Sequence, residues 1–452
     1  MYLKTLKLIA LIIMLSVADA GAQSVTSSPY SRYGLGDLIS SGTGHNIAMG
    51  GTSAAESTPL FINTVNPACN TNLQLQRFVF DVGFDVRYAN IKSASESQKT
   101  SQATFKYLAG AFAAKPWWYF SFCLKPYSTM GYEATDTIHK TDSDNNIYAF
   151  SESYSGTGGL SKVSISTAFK FLKMFSVGFT GSVLFGNLER TQYLTGVRGG
   201  YVINNRSYPF TSQLYTTNKH IIHGLQSDIG FRFEKSFKSK KDTLRDALRI
   251  SVGAYIGNKA SLKARNELYM RSDYDYYTYS DYYNGSSYVT TSEVLVNDTT
   301  SKADVEIPRG FGIGASVEVA EKFTFNADYH TQKWGSFRLP ADETTSKMRD
   351  SKRMAFGMQF AEAKFSSKYY RTIIYRFGMY KNETYLSLNG HGIDEKGMTF
   401  GLGFPIRSLI LNVGLDMGKR GTTKDGLLEE KYYLLHFNAT LHDVWFVKRK
   451  FQ

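Results

Sequence analysis

The sequence predicts an all-β protein, a transmembrane antiparallel β-barrel with an N-terminal plug, or hatch, inside it. Three observations support this prediction. From residue 74 onward, apolar and polar residues alternate with the period of a strand. Aromatic residues make up 15% of the chain and glycine is frequent, with 31 Tyr, 31 Phe and 39 Gly, as barrels with aromatic girdles require. No later window is long and apolar enough to form a transmembrane helix.

Residues 1–22 have the pattern of a secretory signal peptide. Lys4 and Lys7 form a basic start, residues 8–17 are apolar, and small residues follow at 18–22. We favour cleavage after Ala22, with cleavage after Ala20 as the alternative. Because no cysteine stands at either position, we do not expect a lipoprotein anchor. The mature chain is predicted to be exported to the outer membrane of a Gram-negative bacterium.

Residues 23–73 are predicted to form the hatch. They contain neither a sustained helical stripe nor strand alternation, and they are rich in glycine, proline and small residues. That composition is typical of a compact, turn-rich element with short helices at most.

Residues 74–442 are predicted to form the barrel, and residues 443–452 an aromatic and basic end. The clearest strand is 78–88, where one face is apolar and the other carries charges. Many later segments have about 9–11 alternating residues, the length of a tilted membrane strand. They include 225–233, 248–256, 311–319, 323–329, 354–360 and 409–417.

Short and long connections alternate along the barrel, as they do in outer-membrane barrels, where the short turns are periplasmic. Short turns are predicted at 115–116, 172–173, 258–259, 320–321 and 406–407, and long polar loops near 131–159, 189–203, 236–246, 272–305, 334–351, 382–396 and 419–430. This pattern fits fourteen strands, with sixteen as the alternative. The Tyr-rich loop 272–305 is interpreted either as an exposed hairpin or as an aromatic surface for a ligand or partner.

The formal charge of +13 is compatible with lipid phosphate and anionic lipopolysaccharide as partners. Lys and Arg are scattered through turns and loops, so nucleic-acid binding is not expected. Export would permit a disulfide between Cys69 and Cys123. The alternative is two isolated small hydrophobic residues, since nothing local in the sequence brings them together.

No enzyme signature is present, and we expect no cofactor and no metal. His220 and His223 would lie on opposite faces of a strand, which excludes a zinc pair. The glycines at 310–314 lack the spacing and the helix of a phosphate loop. There is no GxSxG nucleophile elbow.

Two stretches resemble the FadL-like outer-membrane transporters, the long-chain fatty acid and aromatic hydrocarbon channels. The first is Ala48-Met49-Gly50-Gly51 followed by Asn66-Pro67-Ala68, which is similar to the hatch of that family. The second is 307–314, continuing to Asp328 and Trp334. The opening at 28–34 and the ending at 445–450 look like the Bacteroidetes branch of the family.

The resemblance implies a fourteen-stranded barrel closed by its hatch, in which hydrophobic small molecules enter from outside and leave sideways through the wall. The residues it implicates in the hatch and its gating are Gly50, Gly51, Asn66, Pro67 and Ala68, and in the barrel Pro308, Gly312, Asp328 and Trp334. We expect Asn66 to fix the hatch through side-chain hydrogen bonds to backbone. The alternative function is a non-transporting barrel subunit of a secretion or assembly complex, which would associate with other outer-membrane proteins.

Overall fold

The structure, a computed structural model, describes residues 28–40, 42–141, 147–203, 206–238, 246–280, 285–339, 348–363 and 366–444. The predicted signal peptide and residues 445–452 of the predicted C-terminal end lie outside the described residues. Within the described ranges, no helix is long and apolar enough to cross a membrane.

Long antiparallel strands make up most of the fold, and residues of high strand propensity with alternating faces form each of them. The strands are β1 (Asp37–Leu38), β2 (Arg77–Lys92), β3 (Ser97–Lys115), β4 (Trp118–Thr141), β5 (Ile147–Phe171), β6 (Phe175–Ile203), β7 (Arg206–Lys238), β8 (Asp246–Gly257), β9 (Ala260–Ser280), β10 (Gly285–Ile307), β11 (Gly310–Val319), β12 (Phe323–Gln332), β13 (Ser351–Ala361), β14 (Ile374–Leu388), β15 (His391–Ile406), β16 (Leu409–Gly421) and β17 (Glu429–Val444).

β17 pairs with β2 along its whole length, and this pairing closes the sheet into a barrel. β8 and β9 are two parts of one barrel strand that runs antiparallel to β7, because β7 pairs with both of them. β10 and β11 are likewise two parts of one barrel strand, which runs antiparallel to β8 and β9 and is interrupted at Pro308 and Arg309. The barrel therefore has fourteen strands, as predicted, and the alternative of sixteen is wrong. The short turn predicted at 258–259 is also wrong, since Asn258 and Lys259 interrupt one strand.

The two ends of the barrel differ. At one end, the turns at 172–173, 320–321 and 406–407 contain residues with positive φ, such as Leu172 at 47° and Ala320 at 54°. These are the left-handed conformations that tight hairpins favour. We call this the short-turn end. The 236–246 connection, predicted among the long loops, joins β7 to β8 at this same end, and its residues 239–245 lie outside the described residues.

At the opposite end, which we call the long-hairpin end, β4 to β7, β9 and β10 continue as paired strands far beyond their neighbours. β7 alone has 33 residues. The predicted loop 272–305 is the hairpin of β9 and β10. Most of its tyrosine side chains lie outside what the structure describes, so both interpretations of this hairpin remain predictions.

The outer surface of the barrel carries an apolar band. Outward residues of many strands are large and exposed, among them Val86, Phe179, Phe231, Phe356 and Phe400. A continuous exposed apolar surface of this kind is stable in water only when lipid or protein covers it. Its position around a closed cylinder is that of a transmembrane barrel.

The hatch lies within the barrel. It contains short 3₁₀ segments at Pro29–Arg32 and Pro67–Asn72, strand β1, and the short helix α1 (Gly44–Ile47). Its largest apolar side chains, including Leu35, Met49 and Ile62, are almost completely buried. Cys69 and Cys123 are both buried and free.

Candidate functional site

Glycines on the inner wall of the barrel receive the backbone of the hatch. A Cβ built on Gly378 would overlap the backbone N of Gly50, and one built on Gly357 would lie 2.5 Å from the carbonyl O of Met49. A Cβ on Gly178 or Gly253 would likewise overlap backbone atoms of Ala68 or Ala54, whereas a Cβ on Gly230 would overlap the side-chain Oδ1 of Asn66. We call these five wall residues the glycine seat: Gly178, Gly230, Gly253, Gly357 and Gly378. Four of them allow hatch backbone to approach wall backbone more closely than any other residue would permit, and Gly230 makes room for the Asn66 side chain.

Gly50 and Gly51 lie against this seat. Their φ angles are +70° and +82°, in the region that favours glycine. The Gly50 N–H donates to Thr399 Oγ1 at 2.9 Å, and its carbonyl accepts from Arg353 Nη2 at 2.9 Å. Both residues are thus positioned by the wall as well as by the chain itself.

Asn66, Pro67 and Ala68 form the second contact of the hatch with the seat. Asn66 Nδ2 donates to the carbonyl of Ala54 at 2.6 Å and to that of Phe231, in β7, at 3.2 Å. Its Oδ1 accepts from the N–H of Ala68 at 3.1 Å and so caps the 3₁₀ segment Pro67–Asn72. The predicted side-chain hydrogen bonds to backbone are present, and their role in gating stays a prediction.

The four barrel residues implicated by the resemblance lie in different surroundings. Asp328 Oδ2 accepts from the N–H groups of Ser53 and Ala54 at 2.6 and 2.8 Å, so it holds the hatch directly. Pro308 ends β10 where the strand is interrupted. Gly312 leaves room for the ring of Tyr255. Trp334 is 1% exposed and packs in an aromatic cluster at the long-hairpin end.

A cavity of about 410 Å³ lies beside the hatch in the lumen, within the size range of small-molecule sites. Sites for small apolar molecules are mostly lined by apolar side chains, and the lining of this cavity differs from that. The Asp, Glu, Lys and Arg residues among those that line it are six acids and six bases: Asp37, Asp85, Asp228, Asp328, Glu395 and Asp416, and Arg87, Lys106, Lys125, Lys162, Arg353 and Arg420.

Most of these charges are paired. Lys106 Nζ lies 3.0 Å from Asp85 Oδ2, and Lys162 Nζ lies 3.1 Å from Asp228 Oδ2. No carboxylate within the described ranges lies at ion-pair distance from Lys125. Across the same part of the chain, no group of three or more His, Cys, Asp or Glu side chains is arranged to hold a metal ion. The cavity can therefore bind polar or amphipathic molecules, and Lys125 offers it a cation.

The wall is open between β3 and β4. Their pairing runs from Lys115 with Trp118 to Leu108 with Leu124 and then stops, although both strands continue. Each strand has a register shift just beyond that point, where Lys106 and Tyr127 bulge. Pro126 has no N–H to donate, which explains why the ladder cannot continue there. We call this opening the seam.

The cavity reaches the seam, since Phe105, Lys106, Lys125 and Tyr127 line both. The edge of β4 beyond the seam is covered from inside by the hatch strand β1, in which Asp37 and Leu38 pair with Thr129 and Ser128. This pairing satisfies backbone groups that would otherwise form a free strand edge. The hatch therefore contacts the wall at the glycine seat, at the seam, and through polar contacts of residues 28–37, among them the ion pair of Asp37 with Arg420 at 2.8 Å.

Sequence reasoning found Asn66 and Asp328 but missed the seat and the seam. The period of β6, β7, β8, β13 and β14 places glycines on the inner face, yet it does not tell which part of the hatch lies opposite. Pro126 within a strand pattern was the local signal for the seam.

Comparison with known proteins defines the family. A family model described as BamG matches residues 3–452. The chain belongs to the BamG family. No curated protein matches it.

Several solved structures share the fold of this BamG-family chain. The toluene transporter TbuX of Ralstonia pickettii has a TM-score of 0.55 at 14% identity, covering 89% of this chain and 98% of its own. The toluene transporter TodX of Pseudomonas putida has a TM-score of 0.52 at 13% identity, covering 90% and 99%. A FadL homologue of Pseudomonas aeruginosa has a TM-score of 0.52 at 11% identity, with 90% and 99% covered. The predicted resemblance is confirmed for the fold, and the Bacteroidetes branch remains a prediction.

Proposed function

We propose that this chain is an outer-membrane barrel of a Gram-negative bacterium that takes up hydrophobic small molecules passively, with lateral exit through the seam into the membrane. The observation that carries the proposal is the luminal cavity, which lies beside the hatch and extends to a gap in the wall. The shared fold with two toluene transporters and a FadL homologue supports it.

The charged lining of the cavity narrows the substrate class to amphipathic molecules, such as fatty acids. Lys125 would hold the carboxylate, because no acid of the described chain neutralises it. Phe105 and Tyr127, which flank the seam, would contact the apolar chain as it leaves. The mobile part of the hatch would be β1, which is held to the wall by a two-residue strand and by the ion pair of Asp37 with Arg420 at 2.8 Å.

A disulfide between β1 and β4 tests this proposal. Leu38 and Ser128 are directly paired, and paired residues in antiparallel strands have Cα atoms about 4.5–5.5 Å apart, which is within disulfide range. In a background in which Cys69 and Cys123 are replaced by serine, L38C/S128C should lower oleate accumulation by cells at least tenfold. A reductant should restore it.

The matched control is S164C/S182C, which joins the paired residues Ser164 and Ser182 of β5 and β6, away from the seam. It should leave accumulation unchanged. Equal uptake by oxidised and reduced L38C/S128C cells would contradict lateral exit. Equal uptake by cells with and without the gene would contradict transport itself.

The second candidate is a non-transporting subunit of an outer-membrane secretion or assembly complex. A specific feature favours it: β4, β5, β6, β7, β9 and β10 remain paired beyond the barrel and form one projecting sheet. At about 3.3 Å per residue, the 33 residues of β7 are far longer than a bilayer is thick. Such a sheet offers a large surface to other outer-membrane proteins, and the paired charges of the lumen suit a closed barrel.

The same locked variant separates the two functions. Cells that lack the protein should lose secreted or surface proteins if it is a complex subunit, and other barrels should co-purify with it. Oxidised L38C/S128C should then restore those proteins fully, because a scaffold does not need β1 to move. Rescue of surface proteins without rescue of oleate accumulation would assign both functions to the chain.

A further inference from the structure

Four lysines form a row on the outer wall of the barrel. Lys381 in β14 is directly opposite Lys396 in β15, Lys396 is opposite Lys419 in β16, and Lys419 is opposite Lys431 in β17. All four side chains point outward, because they continue the outward positions of the apolar band. We call them the lysine row. The sequence separates them by 50 residues from first to last, and only the register of the strands brings them together.

The row lies next to the apolar band, on the side of the long-hairpin end. One step toward the short-turn end, the outward residues are Met379, Met398, Met417 and Tyr433, again directly opposite one another. Together with Met354 and Phe356 of β13, these residues and the lysines line an external groove of about 800 Å³. Methionine side chains are flexible and adapt to apolar partners of varied shape.

Acidic residues neutralise the row only in part. Glu429 lies 2.6 Å from Lys419 Nζ and 3.6 Å from Lys431 Nζ, so one carboxylate serves two ammonium groups. Glu383 lies 3.4 Å from Lys381 Nζ. Within the described chain, no carboxylate lies at ion-pair distance from Lys396. Like charges that face each other across strands destabilise a sheet. An anionic ligand on the lysine row would remove this repulsion and so stabilise the barrel.

Another part of the outer wall, where β9 begins and β10 ends, shows a different arrangement. In β9 and β10, Lys263 is paired in register with Asp304 at 2.7 Å, and Lys259 lies 2.5 Å from Glu306. Each of these lysines has its own acid on the next strand. The lysine row therefore is not a general property of the outer surface.

We propose that this groove is a binding site for a phosphorylated, acylated lipid of the surrounding leaflet. The phosphate lies on the lysine row, and acyl chains lie over Met379, Met398 and Met417. The lysines lie at the edge of the apolar band, where lipid head groups lie, and the methionines lie within the band, where acyl chains lie. This order fits a lipid. Basic clusters at that depth attract anionic head groups. The site does not depend on whether the barrel transports a substrate.

The test uses the full-length barrel, purified in detergent and freed of lipid, with EDTA present so that divalent cations do not bridge phosphates. The probe is diphosphoryl lipid A, and bound lipid is counted by native mass spectrometry. The quadruple variant K381Q/K396Q/K419Q/K431Q should bind at least tenfold less lipid A than the unsubstituted barrel. Raising the salt concentration should weaken binding to the unsubstituted barrel, because salt screens the phosphate.

The matched control is K263Q, which removes an outward lysine that has its own acid, and it should bind normally. Chemically dephosphorylated lipid A tests the head group and should bind the unsubstituted barrel as weakly as the variant binds lipid A. Heat-modifiable gel mobility checks that each variant is folded. Equal lipid binding by the quadruple variant and the unsubstituted barrel would overturn the proposal. So would an equal loss with K263Q, or a protein partner that occupies this face in place of lipid.

Discussion

The glycine seat and the seam hold the same hatch in different ways. At four of the five seat glycines hatch backbone meets wall backbone, at Gly230 the Asn66 side chain lies against the wall, and Asp328, Thr399 and Asn66 add hydrogen bonds. At the seam, β1 pairs with β4 through two residues, with a lumen cavity behind it. The body of the hatch is thus held mainly by close approach to the wall, whereas β1 is held by strand pairing and by the ion pair of Asp37 with Arg420 at 2.8 Å.

The largest expected effect follows from filling the seat. In G378A, the new Cβ would overlap backbone atoms of Met49 and Gly50, which cannot move away as a flexible side chain would. Overpacking of this kind costs about 3 kcal/mol or more when the backbone must shift. We expect the hatch to detach while the barrel stays closed, so that limited proteolysis cleaves the hatch and the barrel keeps its heat-modifiable gel mobility.

The matched control for this change is G181A, in β6. A Cβ on Gly181 would meet nothing within 4 Å, so the same substitution should leave the hatch resistant to protease. If G378A is as resistant as G181A, the close approach at the seat does not hold the hatch.

The next effect concerns the polar contacts of the seat. D328A removes the acceptor of two buried N–H groups, those of Ser53 and Ala54. Each unsatisfied buried donor costs about 1–3 kcal/mol, so we expect the two together to cost about 2–6 kcal/mol in the stability of the docked hatch. Thermal unfolding and hydrogen exchange of the hatch amides measure it.

D328N keeps one oxygen of matching shape and should lose less than D328A. D304A, which removes an exposed acid of the outer wall, should change stability by less than about 1 kcal/mol.

N66A provides a separate test of gating. If N66A lowers hatch stability but leaves oleate accumulation unchanged, then Asn66 holds the hatch without controlling passage.

The sequence predicted the barrel because alternation and turn length are local properties of the chain. The sequence left strand counts of fourteen and sixteen open, because an interrupted strand has the sequence pattern of two strands joined by a turn. Asn258 and Lys259 show this, because they have the composition of a tight turn. Only the pairing of β7 with both β8 and β9 shows that the chain continues in the same direction, toward the long-hairpin end.

The candidate sites depend on which residues face one another on neighbouring strands and between the hatch and the wall. Asn66 and Asp328 belong to recognisable motifs, and both lie at the hatch. The lysines were interpreted as scattered through turns and loops, but Lys381, Lys396 and Lys419 lie within strands and face one another. Period-2 alternation gives the face of a residue, whereas its neighbour on the next strand depends on a register that hairpin length and bulges decide. That is why the lysine row, the glycine seat and the seam were not predicted.

The smallest expected effect is a pH dependence of the hatch. His45 is buried in α1, where Nδ1 lies 3.0 Å from Thr43 Oγ1 and the ring stacks on Phe61 at 4.4 Å. Burial lowers the pKa of His45 below its ordinary value, and the Arg376 guanidinium lowers it further, although Glu56 opposes both. The neutral imidazole is therefore favoured in the docked hatch.

Because the pKa of His45 is lower in the folded state than in the unfolded state, the unfolded chain binds the proton more tightly. The contribution of His45 to stability is complete above about pH 6.5 and decreases as the pH falls below it. H45Q cannot titrate, so the difference in hatch stability between pH 7 and pH 5 should be smaller in H45Q than in the unsubstituted protein. Comparing the two proteins cancels the titration of all other groups. An identical pH dependence in both would mean that the imidazole is not held neutral, and a stability that rises toward pH 5 would mean that it is held protonated by Glu56.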